Sequence, residues 1–511
     1  MRRWELTVAL GADDRLPLFL QLANAIADDI HRGRLRPGDP LPGTRELAES
    51  LGVSRNTVVA GYDELAAEGL VDTRVGGGTC VAATALPPPA PPALADTPTY
   101  ALAAAPPLPT PPAPLAPGAL TLAAGMPDPR LFPSAALARA FRRAIGARGR
   151  SLLGYAGPCG HPRLRRELAG MLARTRGLPA TPDHVMVTRS IEQAIDLVAR
   201  ALLAPGDVVA VEAFGYPPAW SVLQMAGARL LPLPLDDDGL DVDALEALLA
   251  RERVRAVFLT PHHQFPTTRV MSAPRRARLA TLAREHRFAI IEDDYDHEYH
   301  YAGKPVLPIA AGEGRANVVY VGALSSVLAP GISTAFVTAP PPVFERLAAL
   351  RAASDARGDV AMEGAIAELF EDGELLRHVR RTRRAYAARR DALADALARH
   401  LGSALRFRLP EGGLALWTRA DDGIDVAAWA RAGAAEGVGF RDARAFDFHQ
   451  RPQPYLRLGF SYLDEAELEE AARRMARALA RIRSLPARAP AGRRPAVPAL
   501  RPAPARSAVA S

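Results

Sequence analysis

Thirteen of the residues between Leu86 and Gly118 are proline, set among alanine and leucine. Each proline removes an amide donor and fixes φ, so neither a helix nor a sheet ladder can run through the stretch. It reads as an extended, semi-rigid spacer, and whatever precedes it must fold apart from whatever follows. With 511 residues the chain has the length for more than one sizeable core. The expected organisation is a small N-terminal domain over 1–82, a Pro-rich linker over 83–118, a large domain over 119–483, and a disordered Pro/Ala/Arg tail over 484–511.

Before the spacer, Leu18, Leu22, Ile26 and Ile30 recur at helical spacing, and Gly33 ends that helix. Thr44 is placed as the N-cap of a short helix, Arg45 to Leu51. Ser54 caps the next, Arg55 to Glu68. Two helices separated by Gly-Val-Ser form a helix-turn-helix signal, and Gly69 to Val81 reads as two short strands around a glycine turn. Leu41-Pro-Gly-Thr-Arg-Glu-Leu-Ala48, Leu51-Gly-Val-Ser-Arg-Asn-Thr-Val58, Glu68-Gly69 and Gly76-Gly-Gly-Thr79 resemble the winged helix of the GntR regulators. That resemblance implies binding to double-stranded DNA. Ser54, Arg55, Asn56 and Thr57 lie at the start of the recognition helix, the end that enters the major groove. Arg45 is placed for a backbone phosphate and Gly77 for the wing. Tyr62 and Leu65 are expected in the core. Overall charge does not support this reading, because the +7 total is not local: residues 1–82 hold nine Arg against twelve Asp and Glu, a net of −3. The local pattern carries it.

After the spacer, strand-like and helical runs alternate from about Leu120 to residue 340, as in a helix-flanked, largely parallel sheet. A smaller α/β subdomain follows. Phe288-Ala-Ile-Ile-Glu-Asp-Asp-Tyr-Asp296 ends in carboxylates, and Val318-Val-Tyr-Val-Gly-Ala323 leads into Leu324-Ser-Ser-Val-Leu-Ala-Pro330. Strand ends of this kind are where an open α/β sheet places a ligand. Order and spacing resemble the pyridoxal-phosphate aminotransferases of fold type I, and joined to a GntR head they resemble the MocR subfamily of regulators. The fold class expected is therefore multidomain: a mostly α winged helix-turn-helix, then an α/β fold type I domain with a smaller C-terminal subdomain.

The resemblance implies a half-preserved cofactor site. Asp293 matches the aspartate that pairs with the pyridine nitrogen, Tyr295 the tyrosine near the ring hydroxyl, and Tyr216 the aromatic beside the ring. Tyr155 matches a phosphate-binding tyrosine shared between subunits. Arg457 matches the arginine that grips a substrate carboxylate, for which a bidentate fork is suited. Against these, Ser326 stands in the slot of the lysine that binds the cofactor aldehyde, and Ser333 in that of a phosphate-binding arginine. Thr188-Arg-Ser-Ile191 replaces the family's phosphate loop, and Thr268 replaces a turn glycine. A hydroxyl cannot condense with an aldehyde, and the single lysine of the chain is Lys304, in a turn. Covalent attachment is not expected, while Arg189 offers a substitute cation that leaves non-covalent binding open.

The reading is a cytoplasmic, homodimeric transcription regulator whose aminotransferase-like domain dimerises and senses a small effector, an amino acid or a vitamin B6 form, without transaminase turnover. The alternatives are a pyridoxal-phosphate aminotransferase and a regulator that senses the cofactor covalently. No metal is expected, since His262, His263, His297 and His300 lack the helical i, i+4 ligand spacing. No membrane partner is expected, since no apolar run reaches about 18 residues.

Overall fold

The computed structural model describes residues 16–74, 78–83, 116–123, 125–152, 154 and 157–484. Its contacts divide the chain into two compact units at Ala104 and Ala105. The tail, most of the spacer, Tyr155 and Gly77 lie outside the described residues.

The N-terminal unit consists of α1 (Leu18–His31), α2 (Thr44–Leu51), α3 (Arg55–Ala67) and an antiparallel ribbon of β1 (Val71–Arg74) and β2 (Gly78–Val81). Of the periodic residues of α1, Leu22, Ile26 and Ile30 meet Leu47, Val58, Tyr62 and Leu65 in one buried core, whereas Leu18, at the start of the helix, is exposed. The Tyr62 hydroxyl donates to the Pro42 carbonyl (2.8 Å), fixing the chain that enters α2. Gly52, at φ 65, stops α2 in the left-handed region that glycine tolerates. Ser54 caps α3, accepting the Thr57 amide (3.1 Å). Thr44 does not cap α2. It occupies the first turn, with Gly43 in the cap position, and its hydroxyl accepts from Arg55 Nε (3.4 Å).

The C-terminal unit is built on a seven-stranded sheet. Its strands are β3 (Val185–Thr188), β4 (Val208–Glu212), β5 (Arg229–Leu233), β6 (Val254–Leu259), β7 (Ala289–Asp294), β8 (Val318–Ala323) and β9 (Ala335–Thr338). Their spatial order is β3-β9-β8-β7-β6-β4-β5, and β9 alone runs against the rest. Both faces are covered, so the strands read as continuous apolar runs. The pleat then sorts alternate residues into two cores. Val208, Ala210, Val257 and Ile290 face one; Val209, Val211, Phe258 and Ile291 face the other. The smaller subdomain is a sheet of β10 (Leu405–Phe407), β11 (Ala415–Ala420), β12 (Arg441–Asp442) and β13 (Tyr455–Gly459), in the order β10-β11-β13-β12. It shares a core with the long helix Glu374–Leu401. No helix among the described residues is long and apolar enough to cross a membrane.

Candidate functional site

The parallel strands end together, and the loops leaving β3, β4, β6, β7 and β8 surround a pocket of about 290 Å³. Its walls include Asp293, Tyr295, Tyr216, Arg457, Ser326 and Ser333, so six of the positions singled out by sequence converge there. The pocket shares Tyr216, Phe265 and Arg457 with an adjoining cleft of about 720 Å³.

Strand alternation decides which carboxylate serves the pocket. Asp293 faces it, and its Oδ1 is buried without a hydrogen-bond partner. Burial, followed by the neighbouring Asp294 and Glu192 carboxylates, holds Asp293 well above the usual carboxylate range. Asp294 points the other way, where it accepts from His297 Nδ1 (2.8 Å) and the Tyr320 hydroxyl. Burial alone would raise Asp294, but His297, His262 and Arg176 outweigh it and hold the group well below the ordinary range. Tyr295 donates to the His263 carbonyl (3.1 Å). Tyr216 donates to Glu192 Oε1 (2.6 Å) and sets its ring edge-on to Phe265 at 5.4 Å.

Arg457 comes from β13, and its guanidinium lies 4.7 Å from the Phe265 ring centroid. It also rests against Gly125, where any Cβ would come within 2.5 Å of Nη1. Ser326 Oγ is buried on the pocket wall with no hydrogen-bond partner. Ser333 is exposed at the rim, and Lys304 is exposed and not among the lining residues.

Three placements depart from the sequence reading. Arg189 is turned away from the pocket: its guanidinium donates to the Arg357 carbonyl (3.0 Å) and lies 3.6 Å from Asp355. Glu192, in the first turn of the helix α4 (Ile191–Leu202), lines the pocket instead. An acid in a first turn is ordinary dipole complementation, which hid this role; Gly125 carried no signal beyond a turn residue. The histidines, separated in sequence, are brought together: the His262 ring lies 4.2 Å from that of His263 and 4.4 Å from that of His297. Two loops supply these side chains, so their spacing along the chain does not show that they meet. Burial, foremost, drives His262 down to about 2 and His263 to about 3.

An unpartnered carboxyl beside two tyrosines fits the basic ring nitrogen of a pyridine. The other ends of pyridoxal phosphate fit less well. Arg457 is the only cationic side chain among the lining residues described, and Glu192 brings a carboxylate to the helix start that would otherwise favour an anion. No amine lines the pocket among the described residues.

Fold and site together define a winged-helix DNA-binding head joined to an aminotransferase-like body. Residues 18–81 match the family described as bacterial regulatory proteins, gntR family, and residues 119–475 match aminotransferase class I and II. The chain is 31% identical to the probable rhizopine catabolism regulatory protein MocR of Rhizobium meliloti, over 91% of this chain and 94% of that protein. It is 31% identical to the pyridoxine biosynthesis transcriptional regulator PdxR of Corynebacterium glutamicum, over 85% and 94% of the two chains. The body resembles the α-aminoadipate aminotransferase LysN of Thermus thermophilus with a TM-score of 0.67 and 30% identity, covering 72% of this chain and 94% of that one. The chain belongs to the MocR-like transcription regulators, in which a GntR-type DNA-binding domain is fused to an aminotransferase class I and II domain.

Proposed function

We propose that the body of this regulator is a dimerising effector sensor that attaches no cofactor covalently and carries out no amino-group transfer. The observation that carries the reading is Ser326. Its buried, unpartnered oxygen lies where the family resemblance puts the lysine, and the one lysine of the chain is exposed elsewhere. The effector is a small molecule with a basic ring nitrogen or an amino-acid carboxylate. Asp293 receives the nitrogen and becomes ionised as it does so, while Arg457 receives the carboxylate. Pyridoxal phosphate, when bound in this family, supplies an electron-withdrawing ring; here Asp293, Tyr295 and Tyr216 would hold that ring. On this reading the protein is cytoplasmic. Residues 1–82 bind DNA, 83–118 tether, 119–483 dimerise and sense, and Tyr155 of a second copy contributes to the pocket.

Ser54, Arg55 and Asn56 are exposed at the start of α3 and Thr57 is half-buried, a placement that supports major-groove contact. Exposed Arg45 suits a phosphate. A ligand can change DNA affinity only as far as it prefers one arrangement of the heads over another.

The test is borohydride treatment of purified protein incubated with pyridoxal phosphate, followed by peptide mass spectrometry. The parent is expected to carry no pyridoxyl mass, while Ser326→Lys is expected to carry one at position 326. Thermal-shift measurements with pyridoxal phosphate and with amino acids should show stabilisation that Arg457→Ala or Asp293→Ala removes. The likeness to LysN favours the rival reading, an active aminotransferase. A pyridoxyl mass on Lys304 together with measurable amino-group exchange would establish that rival and overturn ours.

A further inference from the structure

The loops leaving β6 and β7 place four imidazoles in one cluster, none of which lines the pocket. Beyond the contacts already described, the rings of His262 and His263 each lie 5.9 Å from that of His300. His262 keeps both ring nitrogens, and His263 its Nε2, buried and without a hydrogen-bond partner. Leaving such groups buried and unsatisfied is costly, and this concentration of them points to a shared partner. Two sets of ligand atoms converge to within 4.8 Å of one another: His262 with His263 and His300, and His262 with Asp294 and His297.

The second set is already engaged. Asp294 Oδ2 accepts from both His297 Nδ1 and the Tyr320 hydroxyl, and Arg176 Nε lies 3.9 Å away, a fixed positive charge facing any incoming cation. The first set is not compromised in this way. Asp296 Oδ1 lies 2.7 Å from His263 Nδ1, so a cation on Nε2 leaves Nδ1 as the donor to that carboxylate. This is the arrangement that fixes the tautomer and orientation of metal-bound histidine. The Gly412 main chain packs directly against this ring, where a Cβ would lie 2.0 Å from His263 Nε2. His300 is half-buried as a residue, with both ring nitrogens buried.

We infer that His262, His263 and His300 form a binding site for a divalent transition ion of the zinc class, with Asp296 orienting His263. Three imidazoles suit zinc, cobalt, nickel or copper and leave a position for water. The ion would clamp the loop carrying Phe265 to the segment carrying Tyr295, whose hydroxyl is already bonded to the His263 carbonyl, so its occupancy bears on the pocket.

The test uses untagged, full-length protein stripped with a chelator and titrated with Co(II), following the visible bands of a low-coordinate cobalt site, then displaced with Zn(II) in a calorimeter. One cobalt per chain is expected. His300→Ala should weaken binding at least about 100-fold and Asp296→Asn about 10–100-fold, while His297→Ala leaves it within about threefold. His300→Gln, with melting compared in metal-free buffer, serves if the alanine variant does not fold. Absence of stoichiometric cobalt binding overturns the inference. So does binding that survives His300→Ala and is lost in His297→Ala.

Discussion

Gly125 and Glu212 show how single residues hold this site in place. Gly125 sits at φ 51 with the Arg457 guanidinium pressed against it. Gly125→Ala combines left-handed strain with overpacking, and is expected to destabilise the body by about 2–4 kcal/mol in urea melts. Glu212 ties β4 to β6 by accepting from the Thr260 amide (3.1 Å) and hydroxyl (2.9 Å). Burial, foremost, raises it from 4.5 to about 7. Below pH 4.5 the carboxyl is protonated in both folded and unfolded chains, so its contribution is complete. Between 4.5 and 7 only the unfolded chain ionises, and stability falls as pH rises. Over that window the stability difference between Glu212→Gln and the parent should move in the variant's favour by about 3 kcal/mol, read from melts at each pH. Neither residue was visible in the sequence, where one is a turn glycine and the other a strand-end acid among many. What separates them is the company the fold brings them.

At the scale of the element, α3 was almost fully legible. Its cap, its periodic core residues and the glycine before it are local signals, and the structure honours each. Two substitutions separate its structural and functional roles. Ser54→Ala removes the cap and should lower the stability of the head by about 1 kcal/mol. Arg55→Ala should leave its melting nearly unchanged and weaken operator binding by about 1–3 kcal/mol, measured by fluorescence anisotropy. Equal losses of binding and stability in both variants would show that Arg55 acts only through the fold. Thr44 marks the limit of local reading, because its hydroxyl is used by Arg55 of the next helix. The long helix Glu374–Leu401 marks it again. Its arginines suggest a solvated surface, yet Arg389 is buried against Asp128 (3.1 Å) and the Ser461 carbonyl (2.6 Å). An arginine's stem and fork suit either setting, so composition could not choose between them.

For the molecule as a whole, the proposed dimer predicts two half-sites read together. Scrambling one half of a bound operator should weaken binding by the full chain at least about 100-fold, the usual gain from tethering two modules. The same change should matter little to the isolated residues 1–82, with gel shifts as the readout. The sequence determined that a small head and a large body fold as separate units, the winged helix, and the alternating α/β order. All of these rest on interactions between near neighbours or on the period of apolar residues. It also determined that one lysine is present, which chemistry alone makes decisive for any covalent cofactor. Only the tertiary structure decided that Asp293 faces the pocket while Asp294 faces Arg176, that Arg189 leaves the pocket and Glu192 enters it, and that four histidines from two loops meet. These outcomes depend on the pleat, on loop closure and on which side chains reach one another across the sheet, distances that spacing along the chain does not encode.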